Sequence, residues 1–265
     1  MKIGIIGYGS MGKMLLEKFC RTDNELFVSN RTLSKIESSD KYVICDSNAE
    51  LARLSDIIFI CVRPGDILGV LSGIVDTASS DALIISLNGS IRFESLEELS
   101  LRKYAKVIPS VTAEIDRSQT LVTYNSRVTD EDKKCLTSLL SCIGNVIELP
   151  EDEMGMGSEL VSCMPGFIAS IFDVICNSAQ NHTDISREQI VSMVLKTMSA
   201  TGDLMLEKGM SFEDTVTRVA TKGGITEEGT KVIYDMFPQA ADMMFEKTLE
   251  KRKLTAQKAK ESFGS

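Results

Sequence analysis

Residues 3–12 read IGIIGYGSMG, an apolar run that leads straight into Gly7, Gly9 and Gly12 at G-x-G-x-x-G spacing. A chain with this opening must pass from a buried strand through a tight turn into a helix that packs back on that strand. Gly7 permits the turn, Gly9 lets the backbone approach a pyrophosphate, and Gly12 lets the helix lie close. The N–H groups around Tyr8, Ser10 and Met11 then stand at the head of a helix, where a phosphate is favoured. Glycines at this spacing also occur in turns that bind nothing. The strand before them and the helical spacing of MLLEKF after them point to a dinucleotide site.

Further strands are expected at 26–30 (LFVSN), 41–46 (KYVICD), 56–62 (DIIFICV), 81–87 (DALIISL) and 103–110 (KYAKVIPS), with helical connections between most of them. This is the βαβ rhythm of a parallel sheet. Residues 120–125 (TLVTYN) and 144–150 (GNVIELP) add two strands on either side of a helix that starts near Thr129. From Glu151 onward strand signals vanish and methionines become frequent. One long helix is expected over 152–180, kinked by Pro165-Gly166, and others over 186–208 (closed by Gly209), 211–221, 225–236 and 238–261. The fold class is α/β: an N-terminal Rossmann doubly wound sheet over residues 1–150, then an all-helical dimerisation domain over residues 151–265. Such a helical half cannot bury all its apolar faces alone, so a homodimer or higher homo-oligomer is expected.

A net charge of -9 disfavours nucleic acid, whose phosphates call for a basic face. No apolar stretch reads as a membrane span, and the glycines of residues 4–12 spoil a signal-peptide core, so a cytoplasmic protein with no membrane partner is expected. The seven cysteines lack a C-x-x-C pair and read as reduced thiols, and His182 is the sole histidine, so neither a metal site nor a catalytic triad is expected. The lysine-rich end, KTLEKRKLTAQKAK, reads as a solvated helix end.

The end of the second strand reads the adenosine ribose in this class of site, and an NAD-preferring protein carries a carboxylate there. Here the residues are Ser29, Asn30, Arg31 and Thr32. A guanidinium among hydroxyl and amide groups suits a 2′-phosphate, so NADP(H) is preferred, with NAD(H) possible. Asn30 and Thr32 also read as caps for the next helix. Val62, Arg63 and Pro64 end the fourth strand and Asn88 and Gly89 follow the fifth, all on the sheet edge where the nicotinamide half would lie.

GYGSMG, SNRT, ICVRPGDI, LIISLNGSI, KVIPSVT and TKGGIT together resemble, in order and over nearly the whole chain, the corresponding parts of pyrroline-5-carboxylate reductases. The resemblance implies hydride transfer from NAD(P)H to the cyclic imine of 1-pyrroline-5-carboxylate, giving L-proline, by dimers that interlock through the helical domain. The family's S-G-S-G-P segment stands here as Val161, Ser162, Cys163, Met164 and Pro165, its M-P-N-T-P as Ile108 to Thr112, and its S-P-G-G-T-T as Thr221, Lys222, Gly223, Gly224, Ile225 and Thr226. Ser162, Cys163, Met164 and Pro165 are thereby substrate-binding candidates. These departures resemble a late-competence branch of the family, in which a non-catalytic NADP(H)-binding regulatory role is the alternative reading.

Reduction of a protonated imine needs position and dryness more than an acid, which suits a chain without a catalytic histidine. Gly223, Gly224 and Ile225 stand where a helix begins, so their N–H groups are expected to favour the substrate carboxylate. By the resemblance, Thr226 hydrogen-bonds the imine nitrogen. Asp56, Asp66 and Glu159 are the other acids considered, and none has an evident partner in the sequence. A β-hydroxyacid dehydrogenase is a further alternative, weakened by the lack of its P-V-S-G-G stretch.

Overall fold

The structure is a computed structural model that describes residues 1–89 and 91–263. Ser90 of the SLNGSI motif and the last two residues of the helical half lie outside the described residues. Eight strands form one sheet: β1 (Lys2–Ile6), β2 (Glu25–Ser29), β3 (Val43–Ile44), β4 (Ile57–Ile60), β5 (Leu83–Ser86), β6 (Lys103–Ile108), β7 (Ser118–Tyr124) and β8 (Gly144–Glu148). Their order is β3-β2-β1-β4-β5-β6-β7-β8, parallel throughout except where β6 meets β7. The strand β1 sits at the switch point, paired with β2 through Ile6↔Ser29 and with β4 through Ile6↔Ile60. These two pairings bring the carboxyl ends of three strands together, where a doubly wound sheet binds its ligand.

Both faces of the sheet are covered, which is why its strands are apolar runs rather than alternating ones. Ile3, Ile5, Val28, Phe59 and Ile85 pack on one side with Leu15, Leu16 and Phe19 of the helix α1 (Ser10–Phe19). Ile6, Ile58, Ile60 and Ile84 pack on the other with Leu51 of α2 (Asn48–Leu54) and Leu71 and Ile74 of α3 (Ile67–Ile74). Each such side chain contributes about 1.5–3 kcal/mol when fully buried. After α4 (Phe93–Leu99) and β7, the helix α5 (Asp130–Leu140) starts where expected, with a capping box between Thr129 and Asp132.

The run from residue 152 to 180 is interrupted rather than simply kinked. The helix α6 (Met154–Ser158) passes into a π-helical turn, Glu159–Cys163, and then into α7 (Met164–Gln180). Pro165 has no N–H for the carbonyl of Val161 and its ring crowds that carbonyl, so the helix widens just before it. The helices α8 (Arg187–Lys208) and α9 (Phe212–Val219) follow as expected, with Gly209 closing α8 at φ 60°. Two helices were expected at 225–236 and 238–261; a single helix, α10 (Ile225–Phe263), runs through Pro238. A proline costs about 3 kcal/mol inside a helix, which the turns on both sides of it offset here.

Two compact units result, residues 1–165 with 249–265, and residues 166–248. The change of texture at 150 and the change of unit at 165 do not coincide, because the first helical turns belong with the sheet. Met154 is buried, a Cβ on Gly157 would lie 2.6 Å from Leu149 Cδ1, and Glu151 pairs with the buried Lys106 of β6. The second unit has almost no core of its own: among the described residues its buried apolar side chains are Cys176 and Ile190. Val174, Leu206, Phe212, Val232 and Met236 are exposed. Contrary to the sequence expectation, the helical run Glu151–Gln180, with mean hydropathy 1.6 over its most apolar window, is long and apolar enough by length and composition to cross a membrane. The acidic start and the Pro-Gly pair hide that length in the sequence, whereas the structure carries the helix through both.

Candidate functional site

The carboxyl ends of β1, β2 and β4 surround a cavity of about 660 Å³. Its floor is the glycine turn. Gly7 has φ 102° and a Cβ there would lie 2.9 Å from the carbonyl oxygen of Cys61, while a Cβ on Gly12 would lie 2.0 Å from the carbonyl oxygen of Gly7. Around Gly9 nothing lies within 4 Å of an added Cβ, so that position is open to a ligand. Gly9 is also the N-cap of α1, without a side-chain cap and without an acid in the first turn, which leaves the amides at the helix head for an anion.

The loop after β2 is tied to this turn. Gly7 N donates to Ser29 O at 2.8 Å, Tyr8 N to Asn30 Oδ1 at 3.2 Å, and Asn30 Nδ2 to Thr32 O at 2.9 Å. Asn30 therefore stitches the two loops rather than capping a helix, and the Thr32 side chain makes no cap bond. Gly7, Tyr8, Gly9, Ser29, Asn30, Arg31, Val62 and Arg63 all line the cavity. Ser10, Met11 and Gly12 form the first turn of α1 and are not in its wall, nor is Thr32. The Arg31 guanidinium is largely exposed, 3.9 Å from Asp66 Oδ1. Lys35 joins it in the lining, together with Asp46, Ser47 and Asn48. Sequence reasoning missed these; a second cation one helical turn after Arg31 was the signal available for Lys35.

A second cavity, of about 270 Å³, lies among Val62, Pro64, Leu87, Asn88, Gly89, Ile108, Ser158, Ser162 and Arg252. Pro64, Asn88 and Gly89, expected beside the nicotinamide, thus share a cavity with Val62, which borders both. Of the proline-turn candidates, Ser162 reaches it, whereas Cys163, Met164 and Pro165 are outside its lining. Burial and then Glu159 push the Cys163 thiol above its usual range, which keeps it protonated and a poor nucleophile.

Arg252 was read as part of a solvated helix end, and the structure corrects this. Its Nε and Nη2 donate to Glu159 Oε1 at 3.0 and 2.7 Å, and Nη2 also to Ser158 Oγ at 3.1 Å. Glu159, which seemed to lack a partner, is 1% exposed and held by that guanidinium. Lysines flanking Arg252 mask it in the sequence, since only helical phase separates a half-buried, paired cation from its solvated neighbours. Asp56 accepts from Lys2 N at 2.9 Å and takes no part in either cavity.

In the second unit, the loop before α10 departs from expectation. Gly223 has φ 73° and its N–H donates to Glu227 Oε2 at 2.5 Å, while Gly224 N donates to Thr221 O at 2.8 Å. Two of the three amides expected to receive an anion are therefore engaged, one of them by a carboxylate of the same helix. Ile225 is 95% exposed, and Thr226 is half-buried in the first turn. No group of three or more metal-ligating side chains occurs among the described residues, and the seven cysteines are free.

Comparison with known proteins bears on both halves of the chain. Residues 2–89 match the family described as NADP oxidoreductase coenzyme F420-dependent, and residues 151–255 match pyrroline-5-carboxylate reductase dimerisation. The chain is 34% identical over 261 residues to pyrroline-5-carboxylate reductase 3 of Bacillus subtilis, covering 96% of each protein. It is 28% identical to ComE operon protein 4 of the same organism, over 89% of this chain and 91% of that one. Among solved structures, pyrroline carboxylate reductase of Plasmodium falciparum with NADP bound shares the fold at a TM-score of 0.85 and 24% identity, covering 97% of this chain and 98% of that one.

Proposed function

The chain belongs to the pyrroline-5-carboxylate reductase family, and on that premise we propose that it is an NADPH-dependent reductase converting 1-pyrroline-5-carboxylate to L-proline. The observation that carries this reading is the match to pyrroline-5-carboxylate reductase 3 over 96% of both chains. The structure adds a cavity whose open Gly9 corner and uncapped helix head suit a pyrophosphate. Arg31 and Lys35, with no carboxylate at the end of β2, suit a 2′-phosphate rather than a ribose hydroxyl.

Bound NADPH supplies the hydride. Everything else falls to the chain: Gly7, Tyr8 and Gly9 hold the pyrophosphate, Asn30 fixes the loop that presents Arg31, and Val62, Pro64, Asn88 and Gly89 border the nicotinamide. Ser162 belongs to the substrate side, with the Cys163–Pro165 turn behind it. The iminium N–H donates to the Thr226 hydroxyl, and the Gly223–Ile225 turn presents that hydroxyl. The chain would need no general acid for the reduction, because the imine nitrogen already carries its proton.

The exposed apolar side chains of the second unit, and the apolar helix into which residues 151–180 fold, are accounted for by a homodimer joined through the helical domain rather than by lipid. A cytoplasmic setting fits seven unpaired cysteines. Purified protein mixed with NADPH and pyrroline-5-carboxylate is expected to consume the reduced-cofactor absorbance. The match to ComE operon protein 4 and the altered S-G-S-G-P segment favour a non-catalytic NADP(H)-binding protein as the second reading. Tight NADPH binding without turnover would establish that reading and end the first.

A further inference from the structure

The cavity at the ends of β1, β2 and β4 carries both signs of charge. Arg31, Lys35 and Arg63 bring three cations to its wall, and Asp46 and Asp66 bring two carboxylates. Among the described residues only one ion pair joins any of them, Arg31 Nη1 with Asp66 Oδ1 at 3.9 Å. Arg31 follows β2 and Asp66 stands at the head of α3, after β4, so the pair links the two strands that flank β1. Asp66 holds the N-cap position of α3, yet its side chain makes no cap bond. Its carboxylate faces the guanidinium instead of the helix. The loop that bears Arg31 is held from several directions. Asn30 accepts from Tyr8 N–H and donates to Thr32 O, Ile36 is buried in the core, and Glu37 Oε1 accepts from Lys13 Nζ at 2.6 Å. A change of partner therefore falls to the Arg31 side chain, which is exposed and long enough to turn.

We propose that Asp66 sets how strongly this site prefers NADPH over NADH, by holding Arg31 until a 2′-phosphate takes it. The proposal rests on the reading of this cavity as the NADPH site and adds the residue that limits its selectivity. With NADPH, the guanidinium exchanges one anion for another, so it contributes only what the phosphate offers beyond the carboxylate. With NADH the ribose carries a hydroxyl there, Arg31 keeps Asp66, and no cation loses a partner. Selectivity is a difference of two affinities, and Asp66 narrows it by lowering the stronger one. Lys35 has no ion pair among the described residues, so it meets the phosphate without giving up a partner.

The test compares the two cofactors. Their Kd values are measured by titration of cofactor fluorescence at low ionic strength, where exposed charges are least screened. D66N keeps a residue type favoured at an N-cap and removes the charge, and D66S does the same should D66N fail to fold. Either is expected to tighten NADPH about two- to fivefold, the span of an exposed ion pair, and to leave NADH within about twofold. The pairing itself is read from a double-mutant cycle. R31A should weaken NADPH more in the D66N background than in the parent, by about two- to fivefold, because Arg31 there has no partner to give up. D46N takes an equal charge from the same lining and should leave the R31A loss as it is in the parent. Weaker or unchanged NADPH binding in D66N would overturn the proposal, as would an R31A loss that does not depend on Asp66 or a D46N variant that reproduces the dependence. Parent protein that binds neither cofactor would end the cofactor reading and the proposal with it. Parent protein that binds both, with the same ratio in D66N, would end the proposal alone.

Discussion

Lys106, 1% exposed in the middle of β6, is paired with Glu151, the first residue after the sheet's last loop. The same carboxylate oxygen accepts Phe93 N–H at 2.7 Å, and the Lys106 ammonium lies 4.7 Å from the centre of the Phe93 ring. One acid thus joins β6, the head of α4 and the start of the helical run. Burial is the largest influence on Lys106 and holds its pKa below the ordinary lysine value despite the acid beside it.

Removing the charge of Glu151 leaves that ammonium buried without a counter-charge, which costs about 3–5 kcal/mol where such pairs have been broken. Glu151 is 19% exposed, so the lower end applies, and E151Q is expected to be about 3 kcal/mol less stable. K106M keeps the volume and leaves an acid that water can reach, so its loss should be about 1 kcal/mol. Urea midpoints of the two variants check the order; K106M as the weaker protein would mean that the lysine stem, not the pair, carries the stability.

Arg31 and Lys35 bear on the choice of cofactor. Hydrogen bonds to a charged group contribute about 1.5–3 kcal/mol, and exposure of the Arg31 side chain places it toward the lower end. The double variant R31A/K35A is expected to bind NADPH at least about tenfold more weakly and NADH within about threefold of the parent. Fluorescence titration of both cofactors measures this, and equal losses would show that the two cations hold the diphosphate instead.

How much of this was legible depends on the range of the interaction. The glycine turn was readable because each constraint is local: Gly7 must reach φ 102°, and Gly12 must lie against Gly7 five residues away. The central strands β1, β2, β4 and β5 were readable because burial on both faces makes them apolar runs, and the half-exposed β3 and β8 still carry adjacent β-branched residues. Arg252 and Glu159 were not, since 93 residues separate them and neither carries a local mark of the other. Pro238 misled for the opposite reason, its local tendency to end a helix being overridden by the turns around it. At Gly223 the loop was recognised, but Glu227 takes its amide, an arrangement set by side-chain reach rather than by motif.

Asp116 couples pH to the turn between β6 and β7. It holds a left-handed φ of 59° and pairs with Lys18, which is 6% exposed, and with Arg21 at 3.0 Å. The Lys18 hydrogen bond is the main reason its carboxyl titrates below the ordinary value of 3.8. A carboxylate with a lowered folded-state pKa adds stability that is complete above the unfolded value and is lost as pH falls through the folded one. D116N keeps a residue type that tolerates the left-handed turn and removes the charge. The gap in Tm between parent and D116N should therefore be constant from neutral pH down to about 5 and close below about 4. A gap that persists at the acid end would assign the effect to the turn geometry alone.

Thr226 is the residue through which the proposed chemistry is most directly tested. Its hydroxyl, on the first turn of α10, meets the ring nitrogen in this scheme, and no side chain is asked to move a proton. T226A removes the contact that holds the ring nitrogen in place for hydride addition, so kcat/KM for pyrroline-5-carboxylate should fall about 100-fold while NADPH affinity stays within about twofold. T226S restores the hydroxyl and should recover most of the rate. Because Glu227 fixes the loop through Gly223 N–H, E227Q should leave the loop formed, and E227A should lower the rate by loosening it. If T226A matches the parent, or if T226S is as slow as T226A, the hydroxyl has no role at the nitrogen and the threonine serves only to start the helix.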